Sequence, residues 1–232
     1  MLKKQLLSCI ILSFAIAGTS AAQHRSASIE PTAWQTHEER GTSELNAGRP
    51  ELAVIEYTAA TELAPNQPGL HEELGDAIWS SSRMMDAASS YAAEIALSPD
   101  CTSSLFKLGS LEVIRSNPQV GLELLKRALA IDPSLMVARY YLGKGEESIG
   151  LVKAALEDFQ AVTVKATNDS ERLMAWYQLG FLYRRNGQAS ESARAFEEFR
   201  QIQKRKAAAM LPDPVVPQDR KRELPHPPPS PM

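Results

Sequence analysis

Apolar residues recur along this chain at helical spacing, in stripes that stop and restart. In the carboxy-terminal stretch, Leu173, Trp176, Leu179, Gly180 and Tyr183 fall at i, i+3, i+6, i+7 and i+10, one face of a helix. Asn186-Gly187-Gln188 then breaks the chain, and Ala189, Ala193, Phe196 and Phe199 form a second stripe. Equivalent breaks stand at Asn46-Ala47-Gly48, Ser81-Ser82, Ser116-Asn117-Pro118 and Gly150. The pattern predicts one motif repeated: a helix, a tight turn and a second helix.

The repeat has a fixed period. Gly41, Gly75, Gly109 and Gly143 lie 34 residues apart, and Gly180 follows after 37. A small-residue series keeps the same steps through Ala53, Ala87, Gly121, Ala155 and Ser192. So does a bulky series, Tyr57, Tyr91, Leu125, Phe159 and Phe196. Pro65, Pro99 and Pro133 add another ladder, and Leu74, Leu108, Leu142 and Leu179 each precede a glycine. Each glycine sits inside a helix, where it costs about 0.8–1.0 kcal/mol relative to Ala. Something must offset five such penalties. A missing side chain lets the partner helix approach closely, and the bulky series supplies a side chain to fill the notch. The prolines stop the second helix and set up the next first turn.

The order of a large residue, Leu-Gly, Tyr, a small residue and an aromatic resembles the tetratricopeptide repeat. The last unit carries it as Trp176, Leu179, Gly180, Tyr183, Ser192 and Phe196. The resemblance implies an all-α fold, an α-α superhelix (solenoid) of five helix-turn-helix repeats at 34–67, 68–101, 102–135, 136–169 and 173–206. Repeat 1 departs from the pattern with Arg40 in place of Leu and a polar first helix, as expected of a terminal cap. Repeat 4 ends in Thr167 without its Pro, and three extra residues near Asn168-Asp169-Ser170 are expected to form a capping loop. Repeat 5 also lacks the Pro, so its second helix is expected to run on to about Met210.

The resemblance also implies a binding surface. In this family the first helices line a concave side, and positions 2, 5, 9 and 12 of each present side chains to it. Here those positions give an acidic amino-terminal half, Glu38, Glu72 and Asp76, with Leu45, Trp79 and Val137 among the apolar members. The carboxy-terminal half is aromatic and cationic: Phe106, Tyr140, Lys144, Tyr177, Phe181 and Arg184 are the expected partner-binding residues. Glu38 and Glu72 stand where chaperone-binding relatives place the cations of a carboxylate clamp, so a chaperone tail is not the expected ligand. The expected partner is a protein, as an extended peptide or a helix, held by a non-enzymatic scaffold. The alternative is a structural accessory subunit of an envelope assembly, with a lipid anchor as its mark.

Outside the repeats, Lys3 and Lys4, the apolar run Leu6–Ala17 and small residues up to Ala22 read as a signal peptide over 1–22, implying a periplasmic or secreted chain. Leu6-Leu7-Ser8-Cys9 resembles a lipobox, but the apolar run lies mostly after Cys9. Residues 23–33 are a polar linker. Residues 207–232 hold eight of the 15 prolines and read as a disordered, Pro-rich tail. A formal charge of −3 argues against nucleic acid as a partner, since such domains are strongly basic. The signal's apolar run is too short to span a membrane, and no later segment is apolar enough. Two cysteines exclude a disulfide scaffold. No nucleotide loop or zinc motif is present, so no cofactor and no catalytic residue are expected. His37 and His71 share a repeat position that packs between helices. The sequence leaves the oligomeric state open.

Overall fold

The computed structural model describes residues 31–209. The expected signal peptide, most of the linker and nearly all of the Pro-rich tail lie outside these residues. The described part holds ten helices and no strand: α1 (Ala33–Asn46), α2 (Pro50–Leu63), α3 (Leu70–Ser80), α4 (Ala87–Leu97), α5 (Thr102–Ile114), α6 (Pro118–Ile131), α7 (Met136–Ser148), α8 (Val152–Lys165), α9 (Asp169–Arg185) and α10 (Ala189–Ala209). They form five antiparallel pairs, and the main contacts join helices adjacent along the chain or first helices of successive pairs. The architecture is the all-α solenoid that the pattern implies.

The glycine notches hold the pairs together. A Cβ placed on Gly41 would lie 2.9 Å from the Tyr57 ring, and on Gly75 2.5 Å from that of Tyr91. Gly109 meets Leu125 at 2.9 Å, Gly143 meets Phe159 at 2.9 Å and Gly180 meets Phe196 at 2.6 Å. Each contact spans the same 16 residues, so one sequence step sets all five helix hairpins. The small series lies on the opposite side of this contact: Ala53, Ala87, Gly121, Ala155 and Ser192 are all buried. The Ser192 hydroxyl donates to the Gly180 carbonyl at 2.8 Å.

The turn between paired helices also repeats. Gly48, Ser82, Ser116, Gly150 and Gly187 occupy the same register and all have positive φ, from 62° to 79°. Two repeats thus place serine where the backbone favours glycine. The left-handed penalty of roughly 1–2 kcal/mol exceeds glycine's chain-entropy cost of about 0.5–1 kcal/mol. Ser82→Gly and Ser116→Gly are therefore each expected to stabilise the protein by about 0.5–1 kcal/mol in urea unfolding; a loss of stability would contradict this turn geometry.

Three helix starts are set by local interactions, and one of them departs from the sequence expectation. First, α1 starts at Ala33, inside the segment assigned to the linker, because Gln35 Oε1 accepts from the Thr32 amide at 2.8 Å and closes a capping box. Second, the extra residues before repeat 5 cap a helix as expected, with Asn168 closing the short link and Asp169 and Ser170 entering α9. Asn168 Oδ1 accepts from the Glu171 amide at 2.9 Å, and Asp169 and Glu171 join the first turn of α9, where acidic side chains suit the helix dipole. Third, α4 starts only at Ala87, because residues 84–86 form a turn closed by the Arg83–Asp86 ion pair. At the carboxy-terminal side α10 continues to Ala209.

Candidate peptide-binding groove

The first helices of the pairs meet along one side of the stack. Between α1, α3, α5 and α7 they enclose an open hollow of about 520 Å³. Leu45, Trp79, Phe106, Val137 and Tyr141 form its apolar walls. Leu45, Trp79 and Val137 share the repeat positions expected to line the concave side. Helical spacing brings one side chain from each of four successive repeats to the same space.

The polar edge of the hollow is an ion-pair network. Lys107 Nζ donates to Glu72 Oε1 and to Asp76 Oδ2, each at 2.7 Å. The Tyr91 hydroxyl donates to Asp76 Oδ1 at 2.8 Å, and the Cys101 thiol and Ser104 hydroxyl donate to Glu72 Oε2. Burial alone would raise the Glu72 pKa, but the Lys107 ammonium and the neighbouring donors overcome it and hold Glu72 at about 2. Lys107 is raised for the matching reason, its burial outweighed by both carboxylates. The negative charge expected from Glu72 and Asp76 is therefore halved, although Asp76 stays partly exposed. The lysine that offsets it comes from the next repeat. Cys101 is half-buried, and burial raises its thiol pKa, so it is a hydrogen-bond donor and not an activated nucleophile.

A single rule links successive repeats. Position 5 of one first helix faces position 6 of the next: Glu72 meets Lys107, Phe106 meets Tyr141 at 6.1 Å between ring centroids, and the Tyr140 hydroxyl accepts from Gln178 at 3.2 Å. Glu147 at position 12 likewise pairs with Arg185 at position 13, at 2.8 Å.

The sequence comparisons agree with this geometry. A tetratricopeptide repeat family model matches residues 38–101 and 72–136. Residues 38–136 are thus tetratricopeptide-repeat sequence. None of the curated proteins matches it by sequence. Among solved structures, a crystal structure of MamA is 21% identical, with a TM-score of 0.66, covering 77% of this chain and 96% of its own. MamA from Desulfovibrio magneticus RS-1 is 17% identical, with a TM-score of 0.70, covering 76% and 98%. YrrB, described as a tetratricopeptide-repeat protein with an unusual peptide-binding site, is 19% identical, with a TM-score of 0.62, covering 76% and 95%. At these identities the likeness establishes the shared fold.

Within this tetratricopeptide stack the six expected partner-binding residues do not form one surface. Phe106 lines the hollow. Lys144 lies beyond Tyr141 in an adjoining recess of about 430 Å³ shared with Glu147 and Arg185. Tyr140 is only 8% exposed, and its ring packs against Phe159 and Tyr141 at 5.7 and 5.3 Å. Tyr140 is therefore a core residue: position 5 is shielded wherever a following repeat covers it. Tyr177, Phe181 and Arg184 sit together on the last pair, away from the hollow's walls. The Tyr177 and Phe181 rings are 4.7 Å apart, and the Arg184 guanidinium stacks 4.7 Å over Phe181. Lys107 and Tyr141 were not expected in the groove. Both occupy position 6, and the 35-residue offset from Glu72 and Phe106 was the signal that could have found them.

His37 Nδ1 lies 2.7 Å from Glu56 Oε2, and His71 Nε2 lies 3.0 Å from the Pro65 carbonyl. No group of three metal-ligating side chains gathers among the described residues. No helix there is long and apolar enough to cross a membrane.

Proposed function

We propose that the chain is a non-enzymatic scaffold that holds a peptide or partner helix along the side formed by its first helices. One observation carries this reading: four consecutive repeats contribute apolar side chains to one open hollow, sized for a bulky side chain of a ligand. Trp79, Phe106 and Tyr141 supply aromatic contact area of the kind that anchors interfaces. Lys107, fixed by two carboxylates, gives the rim a polar register without net positive charge. The same arrangement favours a protein ligand over nucleic acid, because the cations nearest the hollow are already paired. The YrrB likeness supports a peptide as ligand. The lysine-led apolar segment at residues 1–22 supports export to a periplasmic or extracellular space.

Selection of peptides from a displayed random library on the purified protein tests the groove. The selected peptides are expected to share a large apolar residue. Trp79→Ala and Phe106→Ala are each expected to weaken their binding tenfold or more, about 1.4 kcal/mol. Leu52→Ala, at an exposed site on α2, serves as the control. Full affinity in both groove variants would reject the assignment.

A further inference from the structure

The register that joins successive first helices is satisfied everywhere but at the first junction. From repeat 2 onwards, position 5 facing position 6 gives an ion pair, an aromatic contact and a hydrogen bond. Between repeats 1 and 2 the same register sets Glu38 of α1 against Glu73 of α3. Burial first, then the charges of Glu38, Asp76, Glu72 and Glu94, raise Glu73 to about 7. One oxygen of Glu73 is buried without a hydrogen-bond partner among the described residues. This seam therefore collects acceptors and lacks a donor. Glu72 and Asp76 lie on the same helix as Glu73. Among the described residues, Lys107 is the only cation that forms an ion pair with any of these four carboxyl groups. One lysine against Glu38, Glu72, Glu73 and Asp76 leaves negative charge in excess.

The excess stands on the α1–α3 side of the hollow. Asp76 lines the hollow directly, with 43% of its side chain exposed. Leu45 and Trp79, two of the apolar walls, each follow a carboxylate of the same helix, Glu38 and Glu72, by seven residues. Seven residues are two helical turns, about 10 Å, which an extended chain covers in roughly three residues. Beyond Tyr141 the sign changes, since Lys144 and Arg185 share the adjoining recess with Glu147. A ligand's positive charge is thus drawn to the α1–α3 side and repelled from the other. Partly buried carboxylates act through a lower dielectric than exposed ones, so the attraction is selective as well as steering.

We propose that the partner held by the hollow is a basic peptide: a large apolar residue enters between Trp79 and Phe106, and a lysine or arginine within about four residues of it lies against Glu38 and Glu73. This rests on the reading of the hollow as a peptide groove and adds the ligand's charge. The ligand's cation does at the first junction what Lys107 does at the second. An acidic peptide meets repulsion at the same place.

Peptides selected from a displayed random library on the purified protein test the charge. Those that lose binding to Trp79→Ala are expected to carry a lysine or arginine within about four residues of the apolar anchor. Replacing that residue by glutamine is expected to weaken binding to the parent protein at least about fivefold, and binding to the Glu38→Gln, Glu73→Gln double variant less than about twofold. Removing like charges relieves repulsion, so the double variant is expected to fold, and Glu38→Gln alone is expected to show part of the same lost discrimination. Glu62→Gln, exposed on α2, controls for bulk charge and is expected to keep the full effect. Trp79-dependent peptides without a shared cation, or an equal glutamine effect in the parent and the double variant, would overturn the proposal and leave the groove reading standing. If no selected peptide depends on Trp79, both fall.

Discussion

Phe159→Ala is expected to lower the unfolding free energy by about 3–5 kcal/mol, the range for emptying a buried aromatic site. Phe159 is fully buried, touches the Gly143 notch and packs on Tyr140, so its loss leaves a void that rigid helix backbones cannot collapse into. The converse change overfills the site: Gly143→Leu is expected to cost about 1–3 kcal/mol. Because the two positions share one space, combining Gly143→Ala with Phe159→Leu should cost less than the sum of the single changes, by about 0.5 kcal/mol or more. Urea unfolding followed by circular dichroism measures all five variants, the two single changes of the pair included. Unchanged midpoints for Phe159→Ala or Gly143→Leu would mean that this hairpin is not closed by the notch.

The second large effect lies in the polar network. Lys107→Ala leaves Glu72 and Asp76 facing each other without a cation. The groups are partly exposed, which moderates the cost to about 1–2 kcal/mol at neutral pH. The pH dependence gives the sharper test. Glu72 is held at about 2 in the folded state, below its ordinary value near 4.5, so its stabilising share is complete above pH 4.5 and is lost as the pH falls towards 2. The difference between the parent and Lys107→Ala should therefore be full at pH 6 and shrink towards pH 2.5. Two other carboxyls act in the opposite sense. Burial first, then neighbouring carboxylates, raise Glu73 and Glu146 to about 7, and one oxygen of each is buried without a partner among the described residues. Between pH 4.5 and 7 these groups bind more protons folded than unfolded, so their contribution falls as the pH rises. The Tm is expected to peak near pH 5 and to decline on both sides. A Tm that rises steadily from pH 5 to 8 would refute that assignment.

Contacts within each repeat were legible in the sequence because they recur. The step from Gly41 to Tyr57 reappears from Gly180 to Phe196, and the eye finds a distance that occurs five times. The turn register from Gly48 to Gly187 was legible for the same reason, even where serine replaces glycine. Contacts between repeats were harder. They depend on how one pair tilts against the next, and that angle is written in no single repeat. The pairing of Lys107 with Glu72 and Asp76 therefore has no mark in the repeat pattern, and Tyr140, at a groove position by register, is enclosed by Gln178 and Phe159. The extra residues before α9 were legible as a cap from Asn168 and the acidic residues after it; Asp169 and Ser170 also lengthen the helix, which a break in the period does not show.

The packing between pairs is thinnest where α4 meets α5. That junction also carries the hydrogen bonds from Cys101, Ser104 and Lys107 to Glu72. A stack of this kind flexes most at its weakest seam, and this seam runs beneath the mouth between Trp79 and Phe106. The lysine and its two carboxylates therefore fasten α3 to α5 across the seam, supplying in charge the cohesion that the apolar packing there lacks.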